Sequence, residues 1–445
     1  GEALDKKTPL LRSQAAIIKQ VYRVAKLFNL PMDKRPYITL GAEQEYFLID
    51  EAVYKMRPDL MQTGRTLFGI RPARHQQMED HYFGKINPRV LNFMADVDHE
   101  LWKLGIPAKT RHNEVSPAQF EFAPVFEEQN LAVDHNMLTM SVLQSIAERH
   151  GFICITHEKP FAGVNGSGKH NNWSITGPDG KNWLTPGKTP HENAKFLFVL
   201  VAIIKAVDTY APLIRAAVAS AGNDHRLGAN EAPPAIVSIF LGEQLTDIIN
   251  QLECGTPKSS KCGGLLEIGV SSLPKLPKDA TDRNRTSPFA FTGNKFELRA
   301  VGSDQSCASS NTVLNLSVAS TLDEMITEME KAITAGEDFN IALQNILQKE
   351  IKAHKRILFD GNGYSDEWRD EAARRGLPNL KSTPDAIQAF KDPKFIALYE
   401  KYTVLSEKEL NSRYAIAKET YERVITMEAE CALMIAKTMI LPVGI

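Results

Sequence analysis

The chain alternates between segments with helical and with strand-like spacing of apolar residues. Over residues 9–28 apolar side chains recur every three or four positions, which predicts a leading amphipathic helix. Residues 37–49 predict a strand, and residues 88–104 predict a further helix. A long apolar helix is expected over 191–220, with Gly222 placed to terminate it. The first part of the chain therefore indicates an α+β fold.

In the last third of the chain the pattern changes. From 312 to 358 and from 406 to 440, apolar residues recur at helical spacing, while Gly and Pro are sparse. We therefore divide the chain into a first domain at 1–320 and a helical C-terminal region at 321–445. The segment 254–281 is rich in Gly, Pro, Ser and Lys, which predicts a surface loop or flap.

The composition favours small-molecule partners. A charged fraction of 24% and a net charge of −2 leave no basic field for nucleic acid and no polybasic membrane patch. Five cysteines without a C-x-x-C pair argue against a disulfide framework and a cysteine zinc site, and they fit a reducing cytoplasm. The longest apolar run, 196–204, is too short to span a bilayer and predicts a buried helix. We expect a cytoplasmic protein without nucleic-acid or membrane partners.

Glu43 and Glu45 lie two positions apart in the first predicted strand, so their carboxylates share one face. The apolar residues 47–49 draw this strand into a core, where unpaired carboxylates would be costly. A cation beside the pair is therefore favoured. For an E-x-E pair alone, a solvated polar face is the more common explanation.

A second carboxylate pair, Glu114 and Glu121, lies seven positions apart. Because seven is odd, an unbroken strand would place the two side chains on opposite faces. A kink or bulge at 116–118, beside Pro117, would bring both to one side, and Pro is tolerated in strands chiefly at such irregularities. Without other context this pair is a weak signal.

Lys295, Glu297 and Arg299 alternate on one face of a predicted strand, with phenylalanine and leucine on the other. This alternation of charge suits a metal ion and anionic oxygens. An ion-pair ladder within the sheet is the alternative. Just upstream, Arg283 and Arg285 supply planar donors of the kind that bind phosphate or carboxylate.

The sequence GVNGSGKH at 163–170 nearly matches the phosphate-binding loop G-x-x-x-x-G-K-[ST] but ends on His170. That loop needs a hydroxyl on Mg²⁺ and a following helix, whereas residues 171–175 alternate like a strand, so we reject this interpretation. His170 suits a Mn²⁺ or Mg²⁺ site with carboxylates, although alone it is more typical of a core histidine. Arg226 and Glu231 bracket a turn before two prolines, an arrangement equally typical of a plain surface turn.

Five blocks in this order resemble glutamine synthetase, closest to its bacterial type III form. The blocks are GAEQEYFLID, RHNEVSPAQFEF, KPFAGVNGSGKHNNWSI, RLGANEAPPAIVSIFLG and DRNRTSPFAFTGNKFELRAVG. Sequence segments typical of type III also include the leading GEALDKKTPLL, DHYFG and the later FDGNGYSDEW. The resemblance implies a curved, antiparallel-rich sheet that bears metal ligands and is backed by helices, as in the glutamine synthetase/guanido kinase-like catalytic domain, with a helical C-terminal lobe.

The resemblance also implies roles for single residues. The implied ligands of the metal that meets the substrate carboxylate are Glu45, Glu114 and Glu121. The implied ligands of the metal at the nucleotide phosphates are Glu43, His170 and Glu297. The implied substrate-binding residues are Asn165, Gly166, Arg226, Glu231 and Arg299. The implied nucleotide-binding residues are Asn172, Ser174, Arg283, Arg285 and Lys295. The implied catalytic residues are Arg226, Arg283, Arg299 and Glu231, of which Glu231 would close the site and take a proton from ammonium.

The implied activity is ATP-dependent ligation of ammonia to the γ-carboxylate of L-glutamate through γ-glutamyl phosphate, with two or more Mg²⁺ or Mn²⁺ ions. ATP, L-glutamate and ammonium are the implied partners, together with a homo-oligomer, a dodecamer of two hexameric rings. Because the first block starts at residue 41, we expect the family's small N-terminal β-grasp domain to be missing. The alternatives are a γ-glutamyl ligase that uses another amine and a non-catalytic structural relative, which is disfavoured because all six metal positions carry Glu or His.

Overall fold

The computed structural model describes residues 3–255 and 284–445, together with a short two-stranded ladder of residues 265–266 and 276–277. Most of the segment 254–281, for which a flap is predicted, lies outside the described residues, and so does Arg283. The strands are β1 Tyr37–Asp50, β2 Ala108–Asn113, β3 Gln119–Pro124, β4 Glu127–Glu128, β5 Phe152–Ile155, β6 Lys169–Thr176, β7 Ile239–Phe240, β8 Leu265–Leu266, β9 Leu276–Pro277, β10 Phe289–Phe291 and β11 Phe296–Leu298.

The main sheet is antiparallel-rich, as the sequence predicts. Its strands run in the order β2-β3-β1-β6-β11-β10-β7, while β4 and β5 pair with opposite ends of β1. The pairings are antiparallel except for β7 with β10, which run parallel. The strand predicted at 37–49 is β1, and it is buried along most of its length because other strands pair on both of its sides.

Helices cover the sheet and form the C-terminal region. The helices are α1 Lys7–Leu27, α2 Glu51–Tyr54, α3 Pro58–Thr63, α4 Pro88–Lys103, α5 Gln129–Arg149, α6 Ala194–Ala217, α7 Ala221–Arg226, α8 Glu243–Cys254, α9 Cys307–Thr334, α10 Phe339–His354, α11 Asp366–Arg374, α12 Thr383–Ala386, α13 Pro393–Lys401, α14 Glu407–Ile435 and α15 Leu441–Gly444. The 3₁₀ turns are Pro190–Glu192, Lys355–Ile357 and Ile387–Lys391, and a π-helical turn covers Ala436–Ile440. The helices predicted at 9–28 and 88–104 are α1 and α4, which confirms both.

The long apolar helix is α6, but it ends before the residue predicted to stop it. Gly222 instead lies within α7, so that prediction is wrong. The physical reason is a cap, because the Ser220 hydroxyl accepts a hydrogen bond from the Asn223 amide and starts a new helix. By length and composition α6 could cross a membrane, and 83% of its most apolar window is buried inside the protein. It packs against α9 and α10 in the largest apolar cluster.

The helices predicted at 312–358 and 406–440 are confirmed by α9, α10 and α14. The boundary predicted at residue 320 lies inside α9, which continues without interruption through that position. Apolar side chains of α9 pack with those of α1, α6 and α10, for example Leu316 with Ile17 and Val201 in one cluster. Helices on both sides of residue 320 therefore share a single core.

Candidate functional site

The six predicted metal ligands converge on one face of the sheet. The strand register places Glu43 opposite His170 and Glu45 opposite Glu121. Glu297 reaches the same face from β11, which pairs with the other side of β6. All six side chains line one open cavity of about 170 Å³. The two-residue spacing in β1 places both of its carboxylates there, as expected.

The first cluster contains Glu43, His170 and Glu297, whose potential ligand atoms lie within 4.8 Å of one another. The Nδ1 atom of His170 is 3.3 Å from Glu43 Oε2 and 3.1 Å from Glu297 Oε1. Burial opposes the charge on His170, but hydrogen bonds to Glu297 and Glu43 hold its pKa well above the usual value. Burial likewise disfavours the charge on Glu297, yet His170 and Arg299 outweigh it and lower the pKa of this carboxyl.

The second cluster brings a histidine that sequence reasoning missed next to Glu114 and Glu121. The Nε2 atom of His112 is 3.2 Å from Glu121 Oε1, and its Nδ1 atom is 3.5 Å from Glu114 Oε1. Burial, together with the charges of Glu45 and Glu121, raises the pKa of Glu114 to about 9. The hydrogen bond to Glu121 raises the pKa of His112 to about 9. Its position two residues before Glu114 is the signal that could have identified it.

A reversal of the chain brings Glu114 and Glu121 together. The interruption expected at 116–118 is a tight turn between β2 and β3 rather than a kink within one strand. The Glu114 amide donates to the Gln119 carbonyl at 2.9 Å, and Ala118 adopts a left-handed φ of 62°. Because the two strands pair antiparallel after this turn, the odd spacing no longer separates the carboxylates.

The donor set of both clusters fits divalent metal ions. Carboxylate oxygens and imidazole nitrogen suit Mg²⁺ or Mn²⁺. Close carboxylates at the second cluster repel one another, which is one cause of the raised pKa of Glu114. A bound cation would relieve that repulsion and balance the negative charge.

The glycine-rich loop before β6 lies directly against Glu45, which is in neither cluster but pairs with Glu121 of the second cluster in the strand register. The Gly168 amide donates to Glu45 Oε2 at 2.5 Å. The Gly166 carbonyl accepts a 2.9 Å hydrogen bond from Gln119 Nε2. A side chain on Gly168 would overlap the Arg226 guanidinium. Arg226 is buried behind this loop, where it donates to the Arg299 carbonyl at 3.0 Å. The structure therefore places Arg226 behind the loop rather than on the cavity wall.

The turn at Glu231 is tied to the same loop. Asn165 Nδ2 donates to Glu231 Oε2 at 2.9 Å, and Arg285 Nη1 donates to Glu231 Oε1 at 2.5 Å. The Arg285 guanidinium lies 5.8 Å from the ring centroid of Tyr82, a cavity residue missed from the sequence. Asn230 and Glu231 have left-handed φ values of 53° and 66°. Each such residue costs on the order of 1–3 kcal/mol, so the surrounding contacts must hold this turn in place.

Sequence comparisons agree with this geometry. The sequence model described as "Glutamine synthetase, catalytic domain" matches residues 26–237, and that of the "Glutamine synthetase C-terminal domain" matches residues 342–445. A Type-3 glutamine synthetase of Dictyostelium discoideum is 49% identical over 99% of this chain. The chain belongs to the glutamine synthetase family. A glutamine synthetase of Butyrivibrio fibrisolvens is likewise 49% identical over 96% of the chain.

The chain spans about three fifths of the length of these relatives, 60% and 61% respectively. A solved structure of GmaS, in its apo form without ligand, is 15% identical and superposes with a TM-score of 0.54. That match covers 95% of this chain and 75% of the GmaS chain. At this identity it supports the glutamine synthetase fold alone.

In this member of the family, the residues predicted to bind nucleotide differ in what they contact. Asn172 Nδ2 donates to Glu43 Oε1 at 2.9 Å. The Ser174 hydroxyl donates to Asn182 Oδ1 at 2.6 Å, and Lys295 Nζ donates to a carbonyl of the turn between β10 and β11 at 3.4 Å. Arg285 lines the cavity. Nucleotide binding by these residues stays a prediction.

The contacts of Arg299 and Glu297 bear on the two hypotheses for the alternating charges at 295–299, which are a metal site and an ion-pair ladder within the sheet. Arg299 Nε lies 3.0 Å from Glu297 Oε1, so the ion pair within the sheet is present. Both side chains also line the cavity, as the metal hypothesis requires. The apolar residues Phe296 and Leu298 point into the core, as predicted. The two explanations are therefore compatible.

Proposed function

We propose that this chain carries the catalytic centre of an ATP-dependent glutamate–ammonia ligase. The observation that carries the proposal is the convergence of six Glu and His ligands around one cavity that is also lined by Arg285, Arg299 and Glu231. Phosphoryl transfer depends mainly on positioning and charge stabilisation, and this combination of metal ligands and arginines supplies both. The names of the relatives support glutamine as the product.

The residues that would hold the metal ion near the substrate carboxylate are Glu45, Glu114 and Glu121. The residues that would hold the metal ion near the nucleotide phosphates are Glu43, His170 and Glu297. When bound, Mg²⁺ or Mn²⁺ ions neutralise charge on phosphoryl and carboxylate oxygens. His112 lies against two of these carboxylates and would keep them oriented through its ring nitrogens.

Arg285 and Arg299 would bind the anionic oxygens of the substrates and of the transferred group. The γ-phosphoryl group of ATP passes to the γ-carboxylate of glutamate, which gives an acyl phosphate and ADP. Glu231 would accept a proton from ammonium, and the resulting ammonia attacks the acyl carbon. The carbon–nitrogen bond then forms as the bond between the acyl carbon and the phosphate oxygen breaks, and the leaving phosphate takes up the proton that the nitrogen releases. The turn that carries Glu231 would exclude water from the acyl phosphate.

The same proposal includes the setting of the enzyme. The substrates are L-glutamate, ATP and ammonium, and the assembly is a homo-oligomer, in the family a dodecamer of two hexameric rings. The location is the cytoplasm, as the cysteine content suggests. These assignments rest on family membership and composition.

The test is phosphate release from ATP with Mg²⁺ or Mn²⁺ and glutamate, measured with and without ammonium. Ammonium-stimulated release with glutamine formed would support the proposal. Replacing ammonium by ethylamine or polyamines separates the alternatives, because product formation with those amines alone would indicate a different γ-glutamyl ligase. Absence of both Mn²⁺ binding and turnover would indicate a non-catalytic relative. Release that needs glutamate but ignores ammonium would mean that the ammonia step requires residues outside this chain.

A further inference from the structure

Gln76 binds Asn165 through both ends of its side-chain amide. Its Oε1 atom accepts a hydrogen bond from the Asn165 backbone amide at 2.7 Å, and its Nε2 atom donates one to Asn165 Oδ1 at 3.0 Å. Gln76 lies between α3 and α4, in a segment with turns but without helix or strand. Asn165 itself is only 4% exposed, so few other partners can reach it.

This double contact determines the orientation of the Asn165 amide. An asparagine amide has a donor end and an acceptor end of nearly the same shape, so its neighbours decide which end faces which way. The Gln76 donor selects the oxygen of Asn165. The donor end, Nδ2, is then directed at Glu231 Oε2, 2.9 Å away. The opposite orientation would place two oxygens against each other.

Glu231 depends on this contact because its own backbone is strained. It lies in the turn with two consecutive left-handed residues, and its other carboxylate oxygen is held by Arg285. Hydrogen bonds from Asn165 and Arg285 therefore fix both oxygens of the Glu231 carboxylate. Loss of the Asn165 donor would leave the carboxylate fixed from one side only.

We propose that Gln76 is a positioning residue that orients Glu231 through Asn165. This inference rests on the proposed function for its catalytic consequence, since Glu231 is there the acceptor of the ammonium proton. Its structural part, the coupling of residues 76, 165 and 231, stands independently of the reaction. The two parts can be tested separately.

The structural test is a double-mutant cycle on the free energy of unfolding. Gln76→Glu preserves the shape but removes the donor, so the Asn165 amide must turn its nitrogen toward residue 76 and its oxygen toward Glu231. Glu231→Gln supplies a donor that satisfies the turned amide. We expect Gln76→Glu to lower the free energy of unfolding of the wild-type chain. We expect the same substitution to lower it less in a chain that already carries Glu231→Gln. Additive effects of the two changes would overturn the proposal.

The functional test compares glutamine formation with glutamate-dependent phosphate release in the absence of ammonium. We expect Gln76→Glu to lower glutamine formation on the order of 10-fold, because a hydrogen bond to a charged group is lost, and to lower phosphate release less. Gln77→Glu is the matched control, since it adds the same charge at the neighbouring exposed residue. Equal activity of the two variants would overturn the proposal.

Gln76→Met keeps the result interpretable if Gln76→Glu folds poorly. Methionine has similar volume but makes neither hydrogen bond, so the Asn165 amide is released without an added charge. We expect Gln76→Met to form glutamine at a rate between that of the wild-type chain and that of Gln76→Glu. Wild-type activity in this variant would overturn the proposal. If the wild-type chain forms no glutamine at all, the proposed function fails, whereas the unfolding cycle still tests the coupling.

Discussion

The Nδ1 atom of His170 lies 3.1 Å from a carboxylate oxygen of Glu297, which reaches it from the neighbouring strand β11. The same carboxylate is 3.0 Å from Arg299 Nε. Glu297 thus joins a metal-ligand cluster to an arginine on the cavity wall. We therefore expect a single substitution at Glu297 to disturb both His170 and Arg299.

Glu297→Ala should abolish phosphoryl transfer. Removing an outer-shell partner of a metal site typically costs about 10–100-fold, so loss of a direct ligand should cost at least about 100-fold in glutamate-dependent phosphate release. Calorimetric titration with Mn²⁺ should show one weakened site. Glu419→Ala, at an exposed position of α14, is the control. Unchanged ATP turnover would remove Glu297 from the set of ligands.

Glu231→Ala should affect the two half-reactions unequally. Glu231 contacts Asn165 and Arg285 but belongs to neither metal-ligand cluster. We expect glutamine formation to fall about 100-fold or more, in the range of lost acid–base catalysis, while glutamate-dependent ATP cleavage falls less. Measuring phosphate and glutamine in the same reaction gives the ratio. Equal loss of both products would contradict the assignment of Glu231 to the ammonia step.

Gly168→Ala should disturb the glycine-rich loop before β6 by steric overlap. The added Cβ would meet the Arg226 guanidinium, which is buried and bound to backbone carbonyls and therefore has little room to move. We expect a loss of about 1–3 kcal/mol in the free energy of unfolding and a raised KM for glutamate. Gly444→Ala is the control because its Cβ meets no atom within 4 Å. Wild-type stability and KM in Gly168→Ala would show that Arg226 is not confined there.

The contact between Glu428 of α14 and Arg65 should make stability depend on pH. Arg65 Nε and Nη2 donate to the two Glu428 oxygens at 2.8 and 2.7 Å. Burial raises the pKa of Glu428, but hydrogen bonds from Arg65 and His225 outweigh it and lower the pKa to about 2. Because the pKa is lower in the folded than in the unfolded chain, the contribution is complete above the unfolded value, about 4.5, and is lost as pH falls toward about 2.

Glu428→Gln should therefore lower the free energy of unfolding at neutral pH by on the order of 2 kcal/mol. The difference from wild type should shrink as the pH is lowered below about 4.5. Urea unfolding at a series of pH values measures it. Glu430→Gln, an exposed neighbour on the same helix, should show no such trend. A difference that stays constant between neutral pH and about pH 3 would exclude this linkage.

Local periodicity predicted the parts of the site that lie on one strand. The shared face of Glu43 and Glu45 follows from the two-residue repeat, and so does that of Glu297 and Arg299. The stop expected at Gly222 is wrong because a serine cap two residues upstream competes with the glycine signal. The local sequence pattern alone does not show whether the Ser220 cap or Gly222 determines where the helices end and begin.

The residues that were missed are those whose roles depend on distant partners. Tyr82 and Gln76 lie in a segment without regular periodicity, so no repeat draws attention to them. Their positions at the cavity and at Asn165 result from packing between segments far apart in the chain. His112 differs, because it shares the two-residue spacing with Glu114, and that spacing could have identified it.

The unbroken helix α9 has a mechanical consequence for the whole protein. It begins just after Ser303, whose hydroxyl donates to the Glu45 carbonyl at 2.6 Å, and it ends among the C-terminal helices. The strand that carries Glu43 and Glu45 and the C-terminal helices are thereby connected through one continuous helix. We expect their amide hydrogens to exchange with solvent in a single opening event, so that a substitution that destabilises the distal helices also speeds exchange in the strand that carries Glu43 and Glu45.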